Sequence, residues 1–448
     1  LRAQQTQLQA KLADYPRYKA LSPSNVELAE LQSGLRDGEG YYKMMVVDDA
    51  IFALFATRGG ARAMKLDSSA TAMGGEVAKV RSSIIEQQNG QMVSAPFDLV
   101  RARRLYLSLF GPIDAQVRGL NHLVFEPDGP MLELPPSLLP ASQAGVDAYV
   151  TRSNRANADA YDFTGIDWLG RGREISISVS ARSFLDVRTI APSRAPEAYL
   201  GLGHNALATA RPAVAVADEC DWPIQVWQQP ISADELKVGA ALFGAAQSRL
   251  VTDAAFTDAA LLTDKSIDQY RVVHFATHGL VTAPRPECPA RPALVTSFAP
   301  GSDGLLTFRE IFDLKLDADV VILSACDTAG TASIGASREA GVATGGNYAL
   351  DGLVRAFVGA GARSVVASHW PVPESYGATK RLISGLLGAR PGEPLAMALG
   401  EAQRGLMDDP KTSHPVYWAA FIILGDGAKP LVPVGRTAPP PRIASAGH

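Results

Sequence analysis

In the second half of the chain, short apolar runs rich in β-branched residues alternate with stretches of helical periodicity. The apolar runs predict strands at 198–203, 271–276, 319–323, 364–368 and 416–424. The stretches between them predict helices at 232–246, 307–314, 347–361, 375–387 and 394–407. This alternation is typical of a mostly parallel sheet with helices on both faces, so the pattern predicts an α/β fold.

The first half has a more mixed pattern. Two β-rich runs flank Asp48-Asp49 and predict a hairpin, and strand-like runs recur near 122–125 and 175–179. A segment rich in Pro, Ser and Arg (188–197) marks the main domain boundary. We therefore predict four parts, which are a helical remnant of an upstream region at 1–35, an N-terminal α/β half at 36–190, a catalytic α/β domain at 191–429 and a Pro-rich disordered tail at 430–448. Because the chain begins with Leu1 and carries no signal-peptide pattern, we expect it to be part of a longer protein.

Composition and charge exclude several classes of protein. The 448 residues are 47% hydrophobic and 20% charged, which is typical of a folded protein. With 42 basic and 46 acidic side chains the formal net charge is −4, so we expect no direct nucleic-acid partner. No apolar run approaches the roughly 20 residues that span a bilayer, so we expect no membrane insertion.

The cysteines form a sparse, odd set. Cys220, Cys288 and Cys326 are irregularly spaced, which argues against a disulfide framework and against a zinc cluster. We therefore expect a reducing compartment, the cytoplasm.

Reactive side chains follow two of the predicted strands. One strand runs into Thr277-His278-Gly279, and another runs into Ser324-Ala325-Cys326. Ligands of such sheets bind at the carboxyl ends of the strands, so neighbouring strands would bring His278 and Cys326 together. A cysteine beside an imidazole is suited to attack on a carbonyl group, because the histidine can accept the thiol proton and return it to the leaving amine. We predict Cys326 as the nucleophile and His278 as its base.

Strand geometry separates the two histidines of this segment. His274 lies within the predicted strand and is expected to be a buried, hydrogen-bonded core residue, whereas His278 lies past its end. Gly279 permits close substrate approach, and its backbone N–H could bind an oxyanion together with that of Cys326. The spacing alone leaves open that Cys326 is only a small buried hydrophobe.

Other kinds of site are disfavoured. The segment around His274 and His278 is β-rich and lacks the Glu of a zinc protease, so we expect no metal. The chain has no Gly-x-Ser-x-Gly elbow and no phosphate-binding loop, and we expect no cofactor.

At these residues the chain resembles a CHAT domain, a member of the caspase, gingipain and separase clan of cysteine peptidases. The resembling segments are LVFEPDGPMLELPPSLL (123–139), YLGLGHNAL (199–207), VVHFATHG (272–279), GLLTFREIFDLKL (304–316), VVILSACDTAG (320–330), LVRAFVGAGARSVVASHWPV (353–372) and VYWAAFIILG (416–425). The resemblance implies a caspase-like second half with His278 and Cys326 as the dyad and the amides of Gly279 and Cys326 as the oxyanion hole. It also implies a companion protease-like first half, an upstream tetratricopeptide-repeat region and a role in bacterial signalling or defence, with a partner that activates the enzyme.

Clan members cut after Asp or after Arg and Lys. The segment 368–377 (SHWPVPESYG) resembles the region that forms an acidic pocket wall in separase, so Glu374 is one candidate for binding a basic side chain, and Asp351 is another. The alternative, that both are solvated carboxylates at helix starts, stays open.

These features predict a regulated cysteine endopeptidase that acts on protein substrates. The Gly/Ala/Ser-rich segment 329–346 is predicted to become ordered only when a partner or substrate binds. Two alternatives remain, which are a catalytically silent protein-interaction module of the same fold and a small-amide hydrolase that uses the same dyad.

Overall fold

The computed structural model describes residues 26–88, 91–211, 220–280, 287–288, 291–324, 352–373 and 375–432. The strands in these ranges are β1 Glu39–Val47, β2 Ala50–Thr57, β3 Gly60–Ser69, β4 Glu86–Gln88, β5 Gln91–Val93, β6 His122–Glu126, β7 Glu174–Ile177, β8 Glu197–Asn205, β9 Ser248–Asp253, β10 Tyr270–Ala276, β11 Gly279–Leu280, β12 Ala293–Val295, β13 Leu305–Thr307, β14 Val320–Ser324, β15 Ser364–Ser368 and β16 Phe421–Gly425. The helices are α1 Leu28–Gly34, α2 Ala70–Ile84, α3 Leu99–Phe110, α4 Asp114–Arg118, α5 Gln143–Ser153, α6 Ala181–Thr189, α7 Asp234–Phe243, α8 Asp258–Thr263, α9 Phe308–Asp313, α10 Gly352–Ala360, α11 Ala378–Leu387, α12 Leu395–Met407 and α13 Pro415–Trp418. Every helix in these ranges is too short or too polar to traverse a lipid bilayer.

Eleven strands form one large sheet in the order β3-β2-β1-β6-β7-β16-β15-β14-β10-β8-β9. Most neighbours are parallel; the antiparallel pairs are β16 with β15 and the two pairs within β1-β2-β3. The central strand β14 is buried along its whole length, so other elements cover both of its faces. The predicted α/β class and the mostly parallel sheet are confirmed.

The sheet contains two parallel blocks that point in opposite directions. Strands β1, β6, β7 and β16 run one way, and β15, β14, β10, β8 and β9 run the other way. Because β16 comes from the end of the chain but pairs with β7 of the first half, both halves share one sheet and one hydrophobic core. The boundary between 190 and 191 stays a prediction.

Several predicted elements agree with the structure in detail. The hairpin is formed by β1 and β2, with Asp48 in the turn at a φ of 54°. The strand predicted at 364–368 is β15.

The strand predicted at 416–424 is wrong in its first half, because Pro415 begins the helical turn α13 and the strand starts only at Phe421. Proline at the first helical position is a common helix start.

An arginine joins the two halves beside the end of β15. Arg81, on α2, donates from Nη1 to the backbone carbonyl of Glu133 at 2.7 Å and from Nη2 to that of His369 at 3.1 Å. His369 directly follows β15, and burial, with the nearby Arg81 charge, lowers its pKa to about 3. A first-half side chain therefore holds the backbone of the second half.

A disulfide connects Cys220 with Cys288. The sparse cysteine set had argued against such a bond, and that expectation is wrong, because two residues that are 68 positions apart are brought together by the fold. The cysteine count therefore no longer favours a reducing compartment, since disulfides persist mainly in oxidising ones.

We expect Arg81→Ala to lower the free energy of unfolding by roughly 1.5–3 kcal/mol, because hydrogen bonds made by a charged group are lost. Urea unfolding followed by circular dichroism measures this change. Arg81→Lys is the matched control and should lose less, because one ammonium group can retain the charge and one of the two bonds. Equal stability of Arg81→Ala and the native chain would contradict the role of this arginine.

We expect removal of the disulfide to destabilise the fold by about 2–4 kcal/mol, because a 68-residue loop is no longer closed in the unfolded chain. The double variant Cys220→Ser, Cys288→Ser and the native chain treated with dithiothreitol should have the same lowered melting temperature. Dithiothreitol should leave the double variant unchanged. Alkylation of both thiols in the folded, unreduced protein would show that the bond is not formed.

Candidate active site

Strands β10 and β14 end at the same level of the sheet. They pair in parallel from Val272 with Val320 to Ala276 with Ser324. The prediction that these two strands are neighbours is confirmed. His278 follows the end of β10 by two residues and is described by the structure, whereas Cys326, Asp351 and Glu374 lie outside the described residues.

The strand order reverses beside β10. Strand β8 lies between β9 and β10, while β14 and β15 continue the sheet on the other side of β10. In open α/β sheets, crevices for ligands form at the carboxyl ends of the strands at such a reversal. A Cβ on Gly203 would overlap the carbonyl oxygen of Ala276, so the close approach of these strand ends requires glycine there.

The backbone of His278 is fixed by a small second sheet. Strands β11, β12 and β13 pair in that order, and Gly279 lies opposite Leu294. The carbonyl of His278 accepts a hydrogen bond from the backbone N–H of Val295 at 2.9 Å, and the Thr277 hydroxyl donates to the Val295 carbonyl at 2.6 Å. The backbone of His278 is therefore held by its own carbonyl, by the side chain of the preceding residue and by the strand pairing of Gly279.

The imidazole of His278 has a defined tautomer. Its Nε2 lies 2.6 Å from the backbone carbonyl oxygen of Gln229. A carbonyl oxygen can only accept a hydrogen bond, so Nε2 carries a proton, and in the neutral ring the lone pair is then on Nδ1. This leaves Nδ1 able to accept a proton from a thiol. The role of Gln229 was not predicted from the sequence, because a residue of any type can supply a backbone carbonyl.

The segment that carries Gln229 is anchored in a satellite core. Trp227 is fully buried, stacks on Phe298 and donates from Nε1 to the carbonyl of Thr296 at 3.0 Å. The disulfide partner Cys220 lies in the same segment, and Cys288 follows β11. The carbonyl that orients His278 is thus attached to the strands that hold its backbone.

His274 is the buried, hydrogen-bonded core residue that was predicted. It is fully buried, and its Nδ1 lies 2.8 Å from the hydroxyl of Tyr199. Burial lowers the pKa of His274 to about 3, so the ring is neutral. It therefore does not act at the edge of the sheet where His278 lies.

A cleft of about 330 Å³ opens at the carboxyl ends of β14 and β15. Its lining includes Ile231, Glu235, Ser324, Ser368, Trp370 and Val372. The hydroxyl of Ser324 donates to Oε2 of Glu235 at 3.1 Å, and burial raises the pKa of Glu235 to about 8 against the effect of this bond. Sequence reasoning missed Glu235, because an acidic residue in the first turn of a helix is usually a solvated one.

Among the described residues, no group of three or more His, Cys, Asp and Glu side chains has a geometry that could hold a metal ion. The chemistry available at this edge of the sheet is that of an oriented imidazole, a buried carboxyl group and backbone amides.

Parts of the chain are similar to known proteins. The chain is 35% identical to mouse tetratricopeptide repeat protein 28 over 132 residues and 32% identical to its human counterpart over 142 residues. These matches cover 28% and 30% of the chain but only 5% of the length of each relative.

Among solved structures, the chain is similar to gingipain R, an Arg-specific cysteine proteinase, with a TM-score of 0.40 and 11% identity over 75% of this chain and 69% of that one. It is also similar to the Saccharomyces cerevisiae separase–securin complex, with a TM-score of 0.45 and 9% identity over 88% of this chain and 30% of that one. A family model described as the CHAT domain matches residues 99–426. Because this match covers well over half of the residues, the chain belongs to the CHAT domain family.

Proposed function

We propose that this chain is a regulated cysteine endopeptidase that uses His278 and Cys326. The observation that carries the proposal is the bond from Nε2 of His278 to the Gln229 carbonyl, which leaves Nδ1 as a base at the edge of the sheet. Ser324 pairs with Ala276, and the chain continues two residues beyond each of them to Cys326 and His278. Two residues span at most about 7 Å, so both functional groups start from neighbouring positions.

The reaction follows from these roles. Nδ1 of His278 accepts the thiol proton, and the thiolate attacks the carbonyl carbon of the scissile amide. The resulting oxyanion is bound by the backbone amides of Gly279 and Cys326. The imidazolium, stabilised by the Gln229 carbonyl, gives its proton to the leaving amine. Water then attacks the thioester with His278 as the base, which releases the acid and restores the thiol.

Two features favour a protein substrate over a small amide. The cleft beside Ser324 opens to solvent, so it can admit one side chain of a longer polypeptide. The curated relatives contain tetratricopeptide repeats by name, and such a region upstream would supply the activating partner or the substrate-binding surface. The segment 329–346, for which partner-induced ordering was predicted, lies outside the described residues.

The cellular setting remains a proposal from family resemblance. Signalling or defence in bacteria fits the family, whereas the curated relatives reported above are mammalian. A cytoplasmic location would require that the Cys220–Cys288 bond forms despite reducing conditions.

We expect Cys326→Ala to abolish cleavage and His278→Ala to lower kcat/KM by about 10²–10⁴-fold, the range that general-base catalysis contributes. The measurement is cleavage of a library of fluorogenic peptides that vary in the residue before the scissile bond. Covalent labelling by peptide acyloxymethyl ketones, located by mass spectrometry, identifies the nucleophile.

Melting temperatures of both variants within about 2 °C of the native chain are the control for folding. Labelling that persists in Cys326→Ala would place the nucleophile elsewhere. If the native chain neither cleaves nor is labelled, also with an added tetratricopeptide-repeat region, the silent interaction module becomes the better interpretation.

A further inference from the structure

The end of β8 carries two polar side chains that the proposed reaction does not use. His204 and Asn205 are the last residues of this strand, and the residue before them pairs with the end of β10, the strand that leads to His278. The side chain of Asn205 is buried and that of His204 is partly exposed. Buried polar groups at such a position need partners, and the partners indicate what the strand end supports.

The two side chains hold one segment on either side of Gln229. The backbone carbonyl of Ile231 accepts a hydrogen bond from Nδ1 of His204 at 2.9 Å. The carbonyl of Trp227 accepts one from Nδ2 of Asn205 at 3.4 Å. Residue 229 lies midway between these two anchored carbonyls. The strand end therefore restrains both flanks of the residue whose own carbonyl orients the candidate base.

A proline couples the anchored Ile231 to the carbonyl of Gln229. Pro230 lies between them, its ring fixes its φ, and its nitrogen lies in the plane of the Gln229 carbonyl group. Few backbone rotations are therefore left between the bond at Ile231 and the direction of that carbonyl. Since the same carbonyl accepts from Nε2 of His278 at 2.6 Å, the hydrogen bond of His204 restrains the acceptor of the imidazole.

An irregular backbone aims both side chains at this segment. Three steps along β8, from Leu202 to Asn205, correspond to two along β9, so the strand has a bulge. Within it, His204 has a φ of 51°, in the left-handed region that is unfavourable for a residue with a Cβ. Consecutive side chains of a regular strand point to opposite faces, whereas those of 204 and 205 contact the same segment. Strain of this kind is found mainly at functional sites.

The other ring nitrogen of His204 has a weaker contact. Its Nε2 lies 3.6 Å from Oδ1 of Asp253, a carboxylate that is largely exposed. An exposed ion pair at this distance contributes little to stability. The bond to Ile231 is therefore the contact by which the ring of His204 can act on its surroundings.

We propose that His204 is a positioning residue, which holds the Gln229 carbonyl in the direction that orients the imidazole of His278. This inference rests on the function proposed above, because it concerns the same base. His204 acts here through the backbone of 229–231 and exchanges no proton with the substrate. Without its hydrogen bond the carbonyl can turn away, and Nδ1 of His278 then faces the thiol in only a fraction of the molecules.

Substitutions at position 204 separate the hydrogen bond from the backbone conformation. Glycine adopts a left-handed φ freely but has no donor, so His204→Gly should lose the orientation of His278. Asparagine tolerates this φ, and its amide N–H lies as many bonds from Cα as the Nδ1–H of histidine. His204→Asn should therefore recover the native behaviour. His204→Asp has the shape of the asparagine variant without the donor and is the second variant should His204→Gly not fold.

The first test measures the orientation of His278 without catalysis. In Cys326→Ala protein with ¹⁵N-labelled histidine, two-bond nitrogen–proton correlation spectra report the tautomer of each ring, and His278→Ala identifies the signals. At a pH where the ring is neutral, Nδ1 and Nε2 should have the widely separated shifts of a single Nε2–H tautomer. His204→Gly should move the two shifts toward each other, and His204→Asn should restore their separation.

His414 is the internal control in the same spectra. Its Nε2 donates to the backbone carbonyl of Ala95 at 2.9 Å, and it precedes α13 rather than the segment 227–231. Its signals should stay unchanged in His204→Gly. A general loss of structure would move the signals of His414 as well as those of His278, so a change confined to His278 reports its orientation.

The second test measures cleavage of the best peptide from the library. His204→Gly should lower kcat by about 10–100-fold and leave KM within about threefold, because a displaced base slows the chemical step more than it weakens binding. His204→Asn should keep kcat within about threefold of the native value, because the donor is retained. Titration of active sites with the acyloxymethyl ketone corrects kcat for any unfolded fraction.

The outcomes separate this inference from the proposed function. Cleavage that depends on Cys326 and is equally fast in His204→Gly and the native chain would overturn the role of His204 and leave the peptidase intact. The expected shifts of His278, without any cleavage that depends on Cys326, would retain the role of His204 in orienting the ring and reject the peptidase. Shifts that are the same in His204→Gly and Cys326→Ala protein alone, or that His204→Asn does not restore, would overturn the inference directly.

Discussion

Because β10 and β14 run parallel and in register, their carboxyl ends lie at one level of the sheet, and the residues that follow them begin from neighbouring positions. The candidate site depends on this pairing. It places Ser324 beside Ala276, and Ser324 in turn contacts Glu235 on α7. A shift of one residue between the two strands would move Ser324 to another level and turn its side chain to the other face of the sheet. Register, rather than any single contact, therefore determines which side chains can meet at this edge.

The second requirement is an imidazole that is oriented before substrate arrives. The Gln229 carbonyl fixes the tautomer of His278, and the carbonyl itself is held by the burial of Trp227. Residues 229 and 278 both lie inside the loop that the Cys220–Cys288 disulfide closes. The disulfide, the small sheet and the Trp227 cluster thus restrain the same pair of groups from different directions. Such restraint is what general-base catalysis needs, since a misplaced base loses most of its effect.

The sequence patterns predicted the positions of the strands near the centre of the sheet well, because a fully buried parallel strand consists of a short run of apolar residues. Strands β14 and β15 are examples, since every residue of both is buried. Strand β9 was missed, since it lies at the edge of the sheet and its residues are largely exposed, so it has no such run. The beginning of β16 was misjudged, because Val416 to Trp418 are apolar for packing in a helical turn rather than in a strand.

Only those residues of the candidate site could be predicted that have a reactive side chain directly after a strand, as His278 has. Gln229 could not be predicted, since it contributes its backbone carbonyl, and its distance from His278 is set by tertiary structure. Asp234 and Glu235 are adjacent acids in the same helical turn, and the sequence treats them alike, yet one is exposed in an ion pair and the other is buried. Burial of one carboxyl group depends on which face of α7 packs on the sheet, and the pattern of a ten-residue helix does not specify this contact.

A buried carboxyl group with one unused oxygen is costly to retain, and the surrounding core could have removed the cost by supplying a donor. Among the described residues, His274 comes within 3.8 Å of Oε1 of Glu235, and its ring is hydrogen-bonded to Tyr199 at 2.8 Å. If the tyrosine hydroxyl donates to Nδ1, Nε2 carries a proton that points toward the carboxyl group without satisfying it. Because burial raises the pKa of Glu235 to about 8, the carboxyl group is protonated at pH 7, and this neutral form needs no neighbouring cation.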